Sequence, residues 1–312
     1  MNKMVNVDFI IPTADENDIL NRLDNSYTDV SEMIPNERAF LNALILRNSP
    51  ERLLELGVSA GGSSIIMLNS IKDFPEAKLY SIDLYENFYK DEKKKTGYFV
   101  DNYPVLKSKW ELFTGGLALN FMDKPGIFGG EIDFCLFDTA HTNPGEIFDF
   151  LMVLPFLKDN AIVVFHDTSF HVCNLLRKRY LDGERTITNN LLMSSICGKK
   201  LLPGNQNAEE FPNIAGIKIN ENTKKNLFEI FNLLTLRWHC LPSAKQEQEI
   251  VLWFEKHYDA YYIDYLKKVF LYQRTVFAGD KRLRIKNSIK GILGAGNIKR
   301  LKKLVHKDTI FV

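Results

Sequence analysis

The hydrophobic positions between residues 51 and 167 fall into short continuous runs that alternate with longer mixed stretches. Each run holds about 4–8 residues and is bounded by Gly, Asp, Asn or Pro, which is typical of strands buried in a parallel sheet. The predicted strands are Leu53–Leu56, Leu79–Leu84, Glu111–Phe113, Ile132–Phe137 and Ala161–Phe165. Helices are predicted between them, over 63–73, 86–100, 117–123 and 145–157. This alternation predicts an α/β fold with a doubly wound, mostly parallel sheet.

The flanking segments have other patterns. Apolar residues at helical spacing over 37–46 predict a helix that covers one face of the sheet, so residues 1–50 are interpreted as N-terminal cap helices. Two more apolar runs, Leu191–Cys197 and Ile214–Ile219, are predicted strands that can pair antiparallel at the sheet edge. The predicted central domain therefore spans 51–220.

Residues 221–280 are predicted to form a helical extension. A break at 241–243 divides it, and Ser243 is the predicted N-cap of the second part. The extension is rich in aromatic residues, which indicates packing on the sheet domain or on another subunit. We expect a homodimer.

A basic amphipathic tail, 281–312, follows the helices. Residues 281–307 hold ten basic side chains and no acidic one. The chain has 40 basic and 39 acidic residues, so the remainder carries 30 basic and 39 acidic residues, a net charge of −9. Two interpretations of the tail stay open: peripheral contact with the anionic inner face of a membrane, or a solvated end. Without aromatic residues interleaved among its charges, we expect no binding of nucleic acid.

Cysteine usage and the N-terminus indicate the compartment. The four cysteines form no C-x-x-C pair and have no zinc-like spacing with histidine, so reduced thiols are the simplest interpretation. The first residues contain no apolar stretch of signal-peptide length, and no run of about 18 apolar residues occurs. We therefore expect a cytoplasmic protein, with the inner membrane face as the alternative location.

The strongest local motif lies at residues 54–64, where an apolar strand runs into a glycine-rich turn and then a helix. Gly57 and Gly61 are expected to shape the turn, and Ser63 to cap the helix, whose N–H groups would face a ligand. The spacing is G-x-x-x-G-G, unlike the G-x-G-x-x-G of dinucleotide enzymes. Glu55 adds a carboxylate near the strand end. The alternative is an ordinary strand-to-helix turn.

Asp83 ends the second predicted strand, 26 residues after Gly57. A ribose-binding acid occupies about this place in nucleotide-binding α/β folds, since a carboxylate can accept both ribose hydroxyls. A helix N-cap is the alternative interpretation of Asp83 alone. The β-α-β context of the two motifs favours a nucleoside site.

A second group of polar residues follows the fourth and fifth predicted strands. Asp138 and His141 come after one strand, and His166 and Asp167 after the next. The carboxyl ends of neighbouring parallel strands meet at one edge, where α/β sheets bind ligands. Two carboxylates there can hold Mg²⁺, or His141 or His166 can act as a general base on a hydroxyl. Strand-end caps and a structural histidine are the alternatives.

These motifs together resemble a known family. Residues 55–63 resemble motif I of class I S-adenosylmethionine methyltransferases, and Asp83 stands where that family has its ribose-binding acid. Residues 137–146 and 154–167 are similar to the pattern of the Methyltransf_24-type branch, which is related to catechol and macrolide-sugar O-methyltransferases. The resemblance covers about residues 40–220. It implies a Rossmann-like, seven-stranded sheet with a reversed last strand.

The resemblance also implies an activity and a set of site residues. It implies methyl transfer from S-adenosylmethionine to a hydroxyl of a small molecule or sugar, in pathways such as surface-polysaccharide or secondary-metabolite synthesis. The implied cofactor-binding residues are Glu55, Gly57, Gly61, Ser63, Asp83 and Asp138. The implied metal ligands are Asp138 and Asp167, with Mg²⁺ as the candidate ion. The implied catalytic residues are His141, the candidate base, with Asp138 and His166.

Three departures from the family pattern stand out. Asp159-Asn160 replaces the usual Gly-Gly before the fifth strand, and His166-Asp167 replaces Asp-Asp or Asp-Asn, which leaves the metal open. No acid follows the third strand, where 114–118 reads Thr-Gly-Gly-Leu-Ala, so adenine recognition is expected to rest on backbone and apolar contacts.

The alternatives for function are an NAD-dependent oxidoreductase and a non-catalytic binding or scaffold protein. Residues 177–179 are a candidate contact for an anionic acceptor, or a solvated helix face.

Overall fold

A twisted sheet forms the centre of the molecule. The computed structural model describes residues 6–23, 25–124, 128–172, 186–204 and 213–279. The strands are β1 (Val7–Ile10), β2 (Arg52–Leu56), β3 (Lys78–Asp83), β4 (Trp110–Thr114), β5 (Ile132–Phe137), β6 (Leu157–His166), β7 (Gly198–Pro203) and β8 (Ile214–Ile219). All five strands predicted between 51 and 167 are confirmed, with small shifts at their ends.

The helices connect and cover these strands. They are α1 (Ala14–Asn21), α2 (Pro35–Asn48), α3 (Gly62–Ser70), α4 (Pro104–Lys107), α5 (Leu119–Met122), α6 (Gly145–Val153), α7 (Thr188–Ser195), α8 (Glu221–Lys225), α9 (Leu227–Leu233) and α10 (Ala244–His257). A further helix, α11, covers 260–279. Ser243 caps α10 as predicted, because its Oγ accepts a hydrogen bond from the Gln246 N–H. No helix in the described part of the chain is both long and apolar enough to span a bilayer.

The strand order is β1-β7-β8-β6-β5-β2-β3-β4. Strand β8 is the one reversed strand among those described, since it pairs antiparallel with both β6 and β7. The predicted reversed last strand is therefore confirmed, while the count of seven is short by one. Strand β1 pairs parallel with β7 and adds an edge that the sequence analysis assigned to cap helices. A strand of four residues gives too short a pattern to be seen.

Side chains of the central strands alternate between two apolar cores. Leu53, Phe134 and Val164 point to the core beneath α1–α3, whereas Leu54 and Cys135 point to the core beneath α5 and α6. This alternation follows from the two-residue period of a strand. The sheet is covered on both faces, as the doubly wound prediction requires.

The C-terminal helices pack on α6. The ring of Phe148 lies 5.6 Å from Trp238, 6.0 Å from Phe254 and 6.2 Å from Phe270, measured between ring centroids. These rings belong to the same core as the sheet side chains of β5. The aromatic residues of the extension therefore fix α6, which lies beside the site described below.

Two predicted elements are wrong. Residues 86–97 form turns with an isolated bridge between Asn87 and Lys95, followed by a 3₁₀ turn at Tyr98–Asn102, in place of the predicted helix 86–100. Residues 188–195 form helix α7, and the strand predicted at Leu191–Cys197 begins only at Gly198. A short apolar run does not distinguish a buried helix from a buried strand.

Candidate functional site

The glycine-rich loop joins β2 to α3 at the carboxyl edge of the sheet. Its backbone is held by Asp83, at the end of the neighbouring β3. Oδ2 of Asp83 accepts hydrogen bonds from the N–H groups of Val58 and Ser59, at 2.9 and 3.1 Å. Oδ1 accepts the N–H of Tyr85 at 2.8 Å. The two predicted motifs therefore meet, and no helix begins at Asp83 for it to cap.

Two glycines of this loop are required by close contacts. Gly57 has φ 88°, and a Cβ at this position would stand 1.9 Å from the carbonyl oxygen of Asp138. Gly61 has φ 100°, and its Cβ would stand 2.8 Å from the side chain of Val100. Positive φ is accessible to glycine at little cost. The turn was predicted correctly, and Gly57 also lets the loop touch the end of β5.

The carboxylate of Glu55 lies behind this loop. It is fully buried and accepts hydrogen bonds from the hydroxyls of Ser63, Ser64 and Ser81, at 2.6, 2.7 and 2.6 Å. Burial raises the pKa of Glu55 to about 7, although the three hydroxyls work in the opposite direction. The described residues that line the cavity include Ser63 and leave out Glu55.

One prediction is corrected by this arrangement. Glu55 holds the serine hydroxyls behind the loop, and its contact with a cofactor stays a prediction. Ser63 does not cap α3, because its hydroxyl donates to Glu55 and the N-cap is Gly61, which has no side chain to offer. A strand-end carboxylate and a serine at a helix start suggest exposure, yet here they satisfy each other inside the core.

The ends of β5 and β6 bring the four predicted acidic and histidine residues together. Nε2 of His141 lies 3.1 Å from Oδ2 of Asp167 and 3.7 Å from Oδ1 of Asp138. Nδ1 of His166 lies 3.2 Å from Oδ1 of Asp138 and 3.7 Å from Oδ1 of Asp167. The expected convergence at this edge is what the structure shows. His141 and Asp167 both have positive φ, 52° and 54°, a conformation that costs energy and often occurs at functional sites.

Three residues of this cluster were missed by the sequence analysis. Oε2 of Glu37, on α2, lies 3.2 Å from Nε2 of His166. Oε1 of Glu146, on α6, lies 3.3 Å from Nδ1 of His141. Asn189, on α7, donates its amide to Glu146 and to the carbonyl of His166, both at 2.7 Å. The first-turn position of Glu37 in its helix was visible in the sequence, but its distant partner, 129 residues away, was not.

The charges in this cluster support one another. Burial alone would lower the pKa of His141, but its contacts with Glu146, Asp138 and Asp167 raise it to about 9. Burial alone would raise the pKa of Asp138, but the imidazoles of His166 and His141 hold it below its usual value. The carboxyl of Asp138 is therefore ionised at neutral pH beside two imidazolium groups.

One cavity of about 670 Å³ connects the loop with this cluster. Its lining includes Gly57–Ser59, Asp83, Asp138, His141 and Asp167. His166 is 3% exposed and is not among the described residues that line the cavity, so its assignment as a catalytic residue stays a prediction. The volume is within the range of small-molecule sites.

Residues after β6 and on α10 also line the cavity. Phe170, after β6, and Ile250, on α10, are among its lining residues. The residues 177–179, proposed for an anionic acceptor, lie outside the described residues, as does the tail 281–312.

Asn160, in place of the second glycine of the family pattern, has φ 68°. Asparagine tolerates this conformation better than most residues, which explains how the substitution is accommodated.

The residues Asp138, His141 and Asp167 each offer one ligand atom within 4.8 Å of the others. Their donor set is two carboxylates and an imidazole nitrogen, whereas Mg²⁺ prefers oxygen ligands. Oδ1 of Asp138 and both oxygens of Asp167 already face imidazole nitrogens. The arrangement therefore does not fit the expected Mg²⁺, and a mixed N/O set of this kind suits transition metals better.

Comparisons with known proteins agree with this picture over the centre of the chain. Residues 54–168 match the Methyltransf_24 family, whose description is "Methyltransferase domain". A comparison with curated proteins found no match.

Several solved structures are similar. The O-methyltransferase TomG from Streptomyces achromogenes, involved in tomaymycin synthesis and solved with S-adenosylmethionine, has 14% identity and a TM-score of 0.46, covering 68% of this chain and 92% of its own. The O-methyltransferase from Bacillus cereus in complex with S-adenosylhomocysteine has 16% identity and a TM-score of 0.45, covering 67% and 93%. The methyltransferase PaMTH1 from Podospora anserina, bound to S-adenosylhomocysteine, has 14% identity and a TM-score of 0.46, covering 69% and 100%.

The family match explains the main features of the described site. It covers the glycine-rich loop, Asp83 and the ends of β5 and β6. The sheet around it has the reversed last strand that the resemblance implied. Residues 54–168 of this chain thus match the Methyltransf_24 methyltransferase domain, and the sheet that carries them has the Rossmann-like, doubly wound topology.

Proposed function

We propose that this protein transfers a methyl group from S-adenosylmethionine to a hydroxyl oxygen of a small molecule or sugar. The observation that carries the proposal is the single cavity that joins the Asp83 loop to the cluster around His141. One part of the cavity is built to bind a nucleoside, and the other holds a candidate base beside two carboxylates. Methyl transfer requires that the bound cofactor and the candidate base both reach the same acceptor oxygen.

The loop and Asp83 fit S-adenosylmethionine better than a dinucleotide. Each oxygen of a carboxylate has two lone pairs, and three of these four are used by backbone donors, so Oδ1 of Asp83 can still accept one ribose hydroxyl. No lysine or arginine occurs among the described lining residues, so nothing in that lining supplies a cation for a pyrophosphate. When bound, S-adenosylmethionine supplies a methyl group on a positively charged sulfur. An acidic cavity favours such a ligand.

His141 is the proposed acceptor of the hydroxyl proton, and its surroundings support this role. Its side chain is 23% exposed and lines the cavity, and Asp167 and Asp138 orient Nε2. With a pKa of about 9, most of the imidazole is protonated at neutral pH, so the base form grows as the pH rises. No step is assigned to Mg²⁺, because the donor set does not fit that ion.

The nature of the acceptor is a finer part of the proposal. Polar side chains at 31–32, Asn87, Tyr89 and Thr96 line the cavity together with His141. Hydroxyls, amides and carboxylates of this kind suit a polyhydroxylated acceptor, since each sugar hydroxyl both donates and accepts. This supports a sugar substrate, as in surface-polysaccharide or secondary-metabolite synthesis.

Partners and location are proposed on the sequence alone. A homodimer, a cytoplasmic location and peripheral membrane contact through 281–312 stay predictions. Sedimentation of the full chain with vesicles that contain phosphatidylserine, beside neutral vesicles, tests the membrane contact.

The first experiment is calorimetric titration of the full chain with S-adenosylhomocysteine, with and without Mg²⁺, and with NAD⁺ as the control. We expect saturable binding of S-adenosylhomocysteine that does not depend on Mg²⁺. Binding of NAD⁺ in its place would support the oxidoreductase alternative, and binding of neither ligand would overturn the proposal. A panel of sugars, nucleotide sugars and catechols, assayed for S-adenosylhomocysteine release, then separates an enzyme from a scaffold protein that binds without turnover.

Asp83→Ala tests the Asp83 site, because it removes the proposed ribose acceptor together with the anchor of the loop. Loss of hydrogen bonds to a charged acceptor costs about 1.5–3 kcal/mol, so affinity for S-adenosylhomocysteine should fall about 10- to 100-fold. Asp73→Ala is the matched control, because Asp73 is exposed on the surface. Unchanged affinity in Asp83→Ala would remove the ribose assignment.

A further inference from the structure

The cavity contains a carboxylate that the proposed reaction does not use. Asp149 lies on α6, on the helix face formed by Gly145, Phe148 and Met152, and these four residues all line the cavity. Their spacing of three and four residues places them on one side of a helix. Asp149 therefore faces the ligand space from the helix wall.

The hydrogen bonds of Asp149 are incomplete. Thr139 donates its hydroxyl to Oδ2 at 2.9 Å, and this is the one hydrogen bond to the carboxyl from the described part of the chain. Burial raises the pKa of Asp149 to about 7, and the field of Glu146 adds to this effect. Asp149 is half-buried at the cavity wall, and Oδ1 has no hydrogen-bond donor among the described residues, so a ligand in the cavity can bring a donor to it.

The surroundings of Asp149 indicate the kind of donor. The other described lining residues near it on α6, α10 and the segment after β4 are apolar, and they include Phe148, Met152, Ile250 and Leu117. Apolar walls with one acceptor suit a flat ring that carries an amino group. S-adenosylmethionine has such a ring in adenine, whose exocyclic 6-amino group is a neutral donor.

The segment after β4 offers no carboxylate to the cavity. It reads Gly115-Gly116-Leu117, and the N–H of Leu117 donates to Oδ1 of Asn120 at 2.8 Å while that of Gly115 donates to the carbonyl of Asp83 at 3.2 Å. Among the described lining residues of this part of the cavity, the side-chain carboxylate comes from the helix wall.

We propose that Asp149 recognises the 6-amino group of adenine from the helix wall, in place of an acid after β4. The inference rests on the proposed function, because it names the part of the cofactor that this carboxylate binds. Thr139 holds one oxygen of Asp149, which leaves the other for the amino group. The chain thereby distinguishes aminopurine ligands from purines without that group.

Calorimetric titration of the full chain with two ligands tests the assignment. One ligand is S-adenosylhomocysteine, and the other is its 6-deamino analogue, with purine in place of adenine. The wild type is expected to bind S-adenosylhomocysteine about 10- to 100-fold more tightly, as a buried hydrogen bond to a charged group allows. In Asp149→Leu this preference should disappear, since the affinity for S-adenosylhomocysteine falls while that for the analogue stays within about twofold.

Two further variants keep the result interpretable. Asp149→Asn keeps an acceptor oxygen and should retain part of the preference, whereas Asp83→Ala should weaken both ligands by the same factor. An equal loss for both ligands in Asp149→Leu, or an unchanged preference, would overturn the inference and leave the proposed function standing. Failure of the wild type to bind S-adenosylhomocysteine would overturn both. If Asp149→Leu does not fold, a smaller preference for S-adenosylhomocysteine in Asp149→Asn than in the wild type supports the assignment. A preference equal to that of the wild type in a Thr139→Val, Asp149→Ala double variant rejects it.

Discussion

Two groups of buried carboxylates lie on neighbouring strands and differ in what holds them. Glu55, on β2, accepts hydrogen bonds from three serine hydroxyls, and its pKa is raised to about 7. Asp138, after β5, faces two imidazoles, and its pKa is lowered. Neutral donors do not offset the desolvation of a buried carboxylate, whereas nearby cations do. The first group is suited to hold a loop in place, and the second to act on a polar ligand.

The largest expected effect is on turnover, and it concerns His141, which belongs to the group around Asp138 and lines the cavity. His141→Ala removes the candidate base, so turnover should fall about 10²- to 10⁴-fold while the affinity for S-adenosylhomocysteine stays within about twofold. In the wild type, turnover should rise with pH toward the His141 pKa of about 9, because deprotonation creates the base. The measurement is the pH profile of turnover with the best acceptor from the panel.

The control for this variant is another histidine in an ion pair. His257, on α10, lies 2.6 Å from Oδ1 of Asp123, and it is not among the described residues that line the cavity. His257→Ala should keep the pH profile of the wild type. Normal turnover in His141→Ala would show that the proton leaves by another route. The group around Asp138 would then have no demonstrated role in the reaction.

The serine-held group gives the next largest effect, and it concerns stability. The pKa of Glu55 is about 7 in the folded protein, against its ordinary value of 4.5. Between these values the folded state holds a proton that the unfolded state has lost, so this group makes the free energy of unfolding fall as the pH rises from about 4.5 to 7, and the loss is complete above that range. Glu55→Gln has no such titration.

Urea denaturation of both proteins measures this difference. The free energy of unfolding of the wild type, minus that of Glu55→Gln, should decrease by about 2–3 kcal/mol between pH 5 and pH 8. Other titrating groups are common to both proteins and cancel. A difference that is flat with pH would mean that Glu55 is ionised throughout, and then the two groups of carboxylates would not differ as described.

The smallest effect is expected for Glu37→Gln, which changes the residue behind His166. In the wild type, Glu37 accepts a hydrogen bond from the N–H of Ile34 at 2.8 Å and also faces His166. The variant keeps an acceptor oxygen for both groups, so α2 should stay capped. Loss of the charge loosens the imidazole that orients Asp138, and turnover should fall about tenfold with KM unchanged. An unchanged turnover number would show that Glu37 only caps its helix.

Local pattern was enough for most of the fold. The run at Ile132–Phe137 is apolar except for Asp133, and the structure shows a strand with the same bounds. The run that begins at Leu191 is equally apolar but forms a helix, because short buried helices and strands share this composition. Strand β1 is too short to give a pattern, and its place beside β7 depends on a partner almost 200 residues later.

The candidate site was predictable in part for the same reason. Asp83, Asp138, His141 and Asp167 follow strands, and parallel strands bring such residues to one edge of a sheet. Glu37, Glu146 and Asp149 come from helices, and their role depends on how those helices rotate and pack. Serine hydroxyls that turn inward to Glu55 are likewise set by packing, which one sequence does not reveal.

Gly57 has a mechanical consequence. The space between its Cα and the carbonyl oxygen of Asp138 has no room for a methyl group, so the loop and the end of β5 are in direct backbone contact. A ligand that pushed the loop toward β5 would therefore press on the backbone of Asp138 itself. In the proposed reaction, this contact couples the cofactor end of the cavity to the cluster without a relay of side chains.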